Sequence, residues 1–291
     1  MSEHGLPQRI FLATDLSARC DRALARAALL SSHWGSRLIV AHVVHAAEVA
    51  RRNHQGDNVP SWRRTESWTQ TLQRALRDDL AAEGVTATSR VIVGSPAEAV
   101  QQAVAEDLAE LIVLGTAKDA RMERIQLGST VDALLRDSRV PLLNVRGRAR
   151  AAYRHVLVAT DFSEPSLYAL RLAARWFEGA HLTLFHAYVT SGVPLGSGVN
   201  ADGAMRAALT RECADHLARA DLSAEKAAGV HCVIERGQPE ALLSDYISSA
   251  EVDLVVLGSR GRTGLARALL GSTAENLLHA LDCDTLIVRG E

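Results

Sequence analysis

The sequence predicts an α/β protein built as two tandem doubly wound domains, each a five-stranded parallel sheet with helices on both faces. Three observations lead there: an internal duplication, short β-branched runs alternating with longer stretches of helical period, and a length of 291 residues. At roughly 100–200 residues per domain that length makes two domains. In the duplication, Leu12-Ala-Thr-Asp-Leu-Ser17 recurs as Val158-Ala-Thr-Asp-Phe-Ser163, placing Asp15 and Asp161 146 residues apart. Gly94-Ser-Pro96 then answers Gly237-Gln-Pro239, Leu111 to Gly115 answers Leu254 to Gly258, and Leu127 to Thr130 answers Leu270 to Thr273, each 143 residues on. Two copies at so long a period are whole domains, not units of a solenoid. The joint falls near Arg146 to Tyr153, giving domains 1–148 and 149–291.

Strands of the first copy are expected near Arg9 to Ala13, Arg37 to Val44, Ala87 to Val93, Glu110 to Leu114 and Leu142 to Val145. Those of the second are expected at His155 to Ala159, His181 to Tyr188, Val230 to Ile234, Asp253 to Leu257 and Thr285 to Val288. Short apolar runs separated by helical segments are the pattern of a parallel sheet covered on both faces. Between them, Pro165 to Phe177 reads as a helix with Ser163 as N-cap and Glu164 and Pro165 in its first turn. Further helices are expected near Ala204 to Arg219, Glu240 to Ala250 and Thr273 to Ala280.

Composition excludes several classes of function. The 32 Lys+Arg nearly balance 34 Asp+Glu, for a net charge of -2, so no overall basic field exists to hold nucleic acid or an anionic membrane. The longest apolar stretches, such as Leu111 to Leu114 and Leu254 to Leu257, are far shorter than the ~18 residues a bilayer-spanning helix needs. Met1 to Gln8 lack a secretory profile, and a cytoplasmic location is expected. Cys20, Cys213, Cys232 and Cys283 form no CxxC, and buried reduced thiols are the expectation for all four. There is no HExxH, and His42 and His45 sit three apart on what reads as a strand, where odd spacing would send them to opposite faces. No metal site is expected.

In an open parallel sheet, ligands bind beyond the carboxyl ends of the strands where strand order reverses. There the second copy carries Gly258-Ser-Arg-Gly261, nine residues, then Gly271-Ser272-Thr273 at the start of the last helix. Glycines permit close approach of a ligand, and the N–H groups of a helix N-terminus attract an anion such as phosphate. Ser272-Thr-Ala-Glu275 equally fits a capping box, in which Ser272 merely caps the helix.

The spacing Gly258-x2-Gly261-x9-Gly271-Ser272, between the fourth strand and the last helix, resembles the nucleotide-binding motif of the universal stress protein family. The first-strand aspartate before a capped helix, and His186-Ala187 ending the second strand, fall in the same order. The resemblance covers nearly the whole chain twice. It implies an ATP-binding α/β domain, usually dimeric, acting in stress resistance without a well-defined catalytic cycle. By the same resemblance, Thr160 and Asp161 lie near adenine and ribose, and the backbone of Ala187 recognises the base. Gly258 and Gly261 pass beneath ribose and phosphates, and Gly271, Ser272 and Thr273 hold the terminal phosphates. Arg260 or Arg262 are charge partners or solvated surface charges, and Asp161 serves the ligand or caps the helix beside Ser163.

The first copy departs from this pattern. Aligned on Gly115, Lys118 stands where the second glycine is required, and Arg121, Glu123 and Arg124 precede Gly128-Ser129. Its site is either vestigial or served by Lys118 turned outward or onto a phosphate, since Asp15, Val43, Gly128 and Ser129 are retained.

The connections after the second strands are expected as lids, with Ser191 to Gly203 a mobile loop by composition. Arg51, Arg52, Trp62, Arg63, Arg64 and Trp68 read as an amphipathic helix packing its tryptophans on the domain, base stacking being the alternative. Lys118 and Lys226 are the only lysines and neither ends a GxxxxGK[ST] loop. No catalytic set is recognised, so regulation through bound ATP, with or without Mg²⁺, is the leading function. Slow ATP hydrolysis and a scaffold that has lost nucleotide are the alternatives. The fifth strands, as exposed edges, are expected to pair the repeats as an internal pseudo-dimer, with association into homo-oligomers open. Scattering that showed the two halves separated by solvent would rule the pairing out.

Overall fold

The computed structural model describes residues 5–17, 20–56, 67–115, 129–189, 198–259 and 271–289. These residues divide into two compact units, with Ala152 the last of the first and Tyr153 the start of the second. The first unit runs β1 (Arg9–Thr14), α1 (Asp21–Trp34), β2 (Arg37–Val44), α2 (Ala46–Gly56), α3 (Trp68–Ala82), β3 (Thr88–Val93), α4 (Pro96–Glu106), β4 (Leu111–Gly115), α5 (Ser129–Asp137) and β5 (Leu142–Val145). Its strands lie in the order β3-β2-β1-β4-β5, all parallel. Successive residues Ile10, Phe11 and Leu12 are fully buried, which a strand achieves only when both faces of its sheet are covered. Local signals fix the helix ends. Gly35 adopts φ 68 at the end of α1 and returns its N–H to the Ser31 carbonyl. Ser67 and Gln70 form a reciprocal capping box at the start of α3.

The second unit runs β6 (His155–Ala159), α6 (Glu164–Trp176), β7 (His181–Tyr188), α7 (Gly198–Arg219), α8 (Ala224–Ala228), β8 (His231–Arg236), α9 (Pro239–Ser249), β9 (Leu254–Gly258), α10 (Ser272–Ala280) and β10 (Asp284–Val288). Its order, β8-β7-β6-β9-β10, is again all parallel. The tandem parallel α/β fold expected from the sequence is therefore the one observed. In each unit the chain leaves the first strand in one direction and returns to its other side with the fourth. The switch point thus lies at the carboxyl ends of β6 and β9, and of β1 and β4. Among the described residues, no helix is long and apolar enough to cross a membrane.

Four expectations need correction or restriction. Helix α7 begins at Gly198, so Gly198 to Gly203 are helical where a loop was expected, and residues 191–197 lie outside the described residues. The cap of α10 is Gly271, with Ser272 already helical and no side-chain capping bond, so the capping-box reading of Ser272 does not hold. Cys20, Cys213 and Cys283 are buried, but Cys232 is exposed, because β8 is the edge strand of its sheet within the unit. In the basic and aromatic stretch, the Arg52 guanidinium sits 5.7 Å from the centroid of the half-buried Trp68 ring, while Trp62, Arg63 and Arg64 lie outside the described residues.

Candidate functional site

The turn after β6 builds one wall of the site. Phe162 takes φ 62, a left-handed conformation uncommon for a residue with a Cβ, and the side chains on either side hold it there. The Thr160 hydroxyl accepts from the Phe162 N–H at 2.9 Å, and Oδ1 of Asp161 accepts from the Ser163 N–H at 3.1 Å and its hydroxyl at 2.5 Å. Ser163 then accepts from Ser166 N–H as the N-cap of α6, as the sequence predicts. Asp161 is thus the acceptor of an Asx turn that orients Ser163, and the cap of α6 itself is Ser163.

The first unit repeats the arrangement. Leu16 has φ 59 and donates to Thr14 Oγ1 at 3.0 Å, while Asp15 accepts from the Ser17 N–H at 2.9 Å and its hydroxyl at 2.5 Å. Burial opposes the charged form of Asp15, but the bonds from Ser17 and Cys20 outweigh it and hold the carboxyl below its ordinary range.

Strand β7 supplies the adjoining wall. His186 Nδ1 lies 2.8 Å from the Thr160 carbonyl; a carbonyl only accepts, so the proton sits on Nδ1. Ala187 follows, beside the cleft. His42 makes the matching bond to the Thr14 carbonyl at 2.9 Å in the first unit, with Val43 next on β2.

Gly258 ends β9 against the start of α6. A Cβ there would lie 2.9 Å from the carbonyl carbon of Pro165 and 3.0 Å from the Ser166 nitrogen. Helix packing alone therefore demands glycine at this position. The Gly271 N–H donates to the Ser259 carbonyl at 3.0 Å and the Ser259 N–H to the Val288 carbonyl at 2.8 Å, anchoring the start of α10. Ser272 and Thr273 stand exposed in its first turn, where backbone N–H groups carry the positive end of the helix dipole.

These pieces enclose a cavity of about 240 Å³ lined by Thr160, Asp161, Ala187, Gly258, Gly271, Ser272 and Thr273 together. Every described residue of the predicted set is brought there; Arg260 and Gly261 lie outside the described residues. In the first unit, Asp15 and Val43 occupy the corresponding positions, Gly115 ends β4 and Ser129 opens α5, while Lys118 and Gly128 lie outside the described residues. Sequence reasoning missed the floor of the cavity, formed by Ser166, Phe185, Leu243, Leu257 and Leu277. Apart from Ser166 these are ordinary apolar positions of strands and helices, with nothing to mark them.

His216 was missed as well. It is 2% exposed on α7, with Nε2 3.4 Å from Thr160 Oγ1 and, among the described residues, no hydrogen-bond partner at Nδ1. Burial, with the nearby Arg171, holds its pKa below the ordinary 6.5 against the opposing pull of Asp161 and Glu212. Below pH 6.5 the unfolded chain takes up a proton there that the folded chain resists. The second unit should lose stability as pH falls from 6.5 through the folded-state value, and be unaffected by this group above it. Urea unfolding across pH 5 to 8 checks this, and His216→Leu should flatten the slope; an unchanged slope would assign it elsewhere.

A model of the universal stress protein family matches residues 7–146 and again 152–289. The chain belongs to the universal stress protein family. A universal stress protein of Mycolicibacterium smegmatis is 30% identical over 199 residues, 62% of each chain. Universal stress protein E of Salmonella typhi is 43% identical over 56 residues, 19% of this chain. The chain spans 18% of the length of that curated relative. The crystal structure of a universal stress protein from Archaeoglobus fulgidus covers 97% of this chain and 98% of its own at 21% identity and a TM-score of 0.66, a likeness of fold. The two family matches agree with the duplication, so this universal stress protein carries the family domain twice.

Proposed function

We propose that this tandem universal stress protein binds an adenine nucleotide, ATP with or without Mg²⁺, in its second unit, and acts in stress resistance through binding and not turnover. The observation that carries the proposal is the convergence of Thr160, Asp161, Ala187, Gly258, Gly271, Ser272 and Thr273 on one cleft at the switch point. The lining of the cleft suits both parts of such a ligand. Phe185, Leu243, Leu257 and Leu277 offer an apolar floor for a base. The start of α10 offers N–H groups that, among the described residues, carry no side-chain cap, for phosphate oxygens. In this reading Thr160, Asp161 and the Ala187 backbone address the nucleoside, and Gly271, Ser272 and Thr273 the phosphates, with Arg260 and Gly261 completing the loop. None of them is assigned an acid–base role. The pairing of the repeats through their fifth strands and a cytoplasmic location belong to the same proposal.

Mass spectrometry of the small molecule released from purified full-length protein, followed by calorimetry with ATP, tests the reading. One tight site per chain is expected, in the second unit, because Lys118 replaces in the first copy the glycine that Gly261 supplies in the second. Two equally tight sites would remove the vestigial reading of the first copy, and no binding would favour the scaffold. Multiple-turnover phosphate release at ~1 per second or faster, lost in Asp161→Ala, would make the protein an ATPase.

A further inference from the structure

Two of the four cysteines, 19 positions apart in sequence, are brought together by the fold. Cys213 on α7 is 2% exposed and its S–H donates to Sγ of Cys232 on β8 at 3.1 Å. That leaves about 1 Å to close to an S–S bond of ~2.05 Å. The two thiols differ in access: Cys232 is exposed and Cys213 buried behind it. We propose that Cys213 and Cys232 form a peroxide-sensitive dithiol, in which exposed Cys232 is the attacking thiol and buried Cys213 the resolving one.

The chemistry closes without any further reagent. The Cys232 thiolate attacks one oxygen of a hydroperoxide; the O–O bond breaks, the departing alkoxide or hydroxide takes a proton from solvent, and Cys232 becomes a sulfenic acid, oxidised by two electrons. Cys213 sulfur then attacks that sulfur, the S–O bond breaks, and the hydroxide leaves with the Cys213 proton as water. The sum is two thiols and one hydroperoxide giving a disulfide, one alcohol (water, for hydrogen peroxide) and one further water. The bond from the Cys213 S–H favours the Cys232 thiolate and brings its pKa down to about 7, while the same contact and burial push Cys213 up. Cys20, by contrast, is buried and pushed up to about 11, chiefly by that burial. A low-pKa exposed thiol beside a resolving thiol is the arrangement that makes oxidation both selective and reversible.

Reduced full-length protein, treated with hydrogen peroxide and then denatured, should show its four titratable thiols fall to two. Non-reducing peptide mapping should find Cys213 joined to Cys232, and dithiothreitol should restore all four. At pH 7, iodoacetamide should label Cys232 at least ~10-fold faster than Cys20. Cys213→Ser should let a dimedone probe trap the sulfenic acid on Cys232, and Cys232→Ser, at an exposed position, should abolish bridge formation. A bridge joining other cysteines, oxidation of Cys232 past the sulfenic stage with Cys213 still free, or four thiols surviving peroxide would each overturn the proposal.

Discussion

Gly258→Val in the full-length protein should weaken adenine nucleotide binding by at least ~10-fold and destabilise the second unit by about 1–3 kcal/mol, the usual cost of overfilling a packed site. The added Cβ alone would lie 2.9 Å from the Pro165 carbonyl carbon and 3.0 Å from its oxygen. These are backbone atoms at the start of α6, which cannot swing aside as a flexible side chain can. Strand β9 and helix α6 must therefore part. The turn bearing Thr160 and Asp161 leads directly into α6, so the wall of the cleft moves with it. Urea unfolding and ATP calorimetry separate the two effects. Wild-type affinity in a destabilised variant would mean that the cleft tolerates the shift, and that Gly258 serves packing alone.

Phe185→Ala should be the most destabilising single change at the site, by roughly 3–5 kcal/mol. Phe185 is 2% exposed on β7 and packs against Tyr246, with ring centroids 5.4 Å apart. It also lines the cavity, so truncation merges lost burial with an enlarged floor. Thermal unfolding measures the loss. A cost below about 1 kcal/mol would show that the floor collapses onto the vacated volume, which the walls of a preformed pocket should resist.

Much of this was legible in the amino-acid order because the signals are local. The runs Ile10 to Leu12 and Leu254 to Leu257 are apolar at every position since both faces of their strands are covered. Ser163 declares a helix start by its hydroxyl. The walls of the cleft were legible because they follow directly on strand ends. The start of α7 was not: Gly198-Val-Asn-Ala-Asp-Gly203 has the composition of a loop, and helix formation there runs against intrinsic propensity. The floor of the cleft reads as core. His216 and the Cys213–Cys232 pair depend on how α7 lies against β6 and β8, a relation that spacing along the chain does not encode.

Helix α7 holds Cys213 and His216 three residues apart, hence on one face and about one turn from each other. One reaches the thiol on the edge strand, the other the hydroxyl of Thr160 at the mouth of β6. A single helix therefore contacts both the cysteine pair and Thr160 of the cleft, and any thermodynamic linkage it carries between them runs in both directions. By whatever factor the disulfide alters the affinity of the cleft, an occupant of the cleft must alter the dithiol–disulfide equilibrium by the same factor. For this two-electron couple, each tenfold of coupling moves the midpoint potential by about 30 mV. On the readings proposed above for the cleft and for the cysteine pair, nucleotide level and peroxide exposure would then be read as one combined quantity.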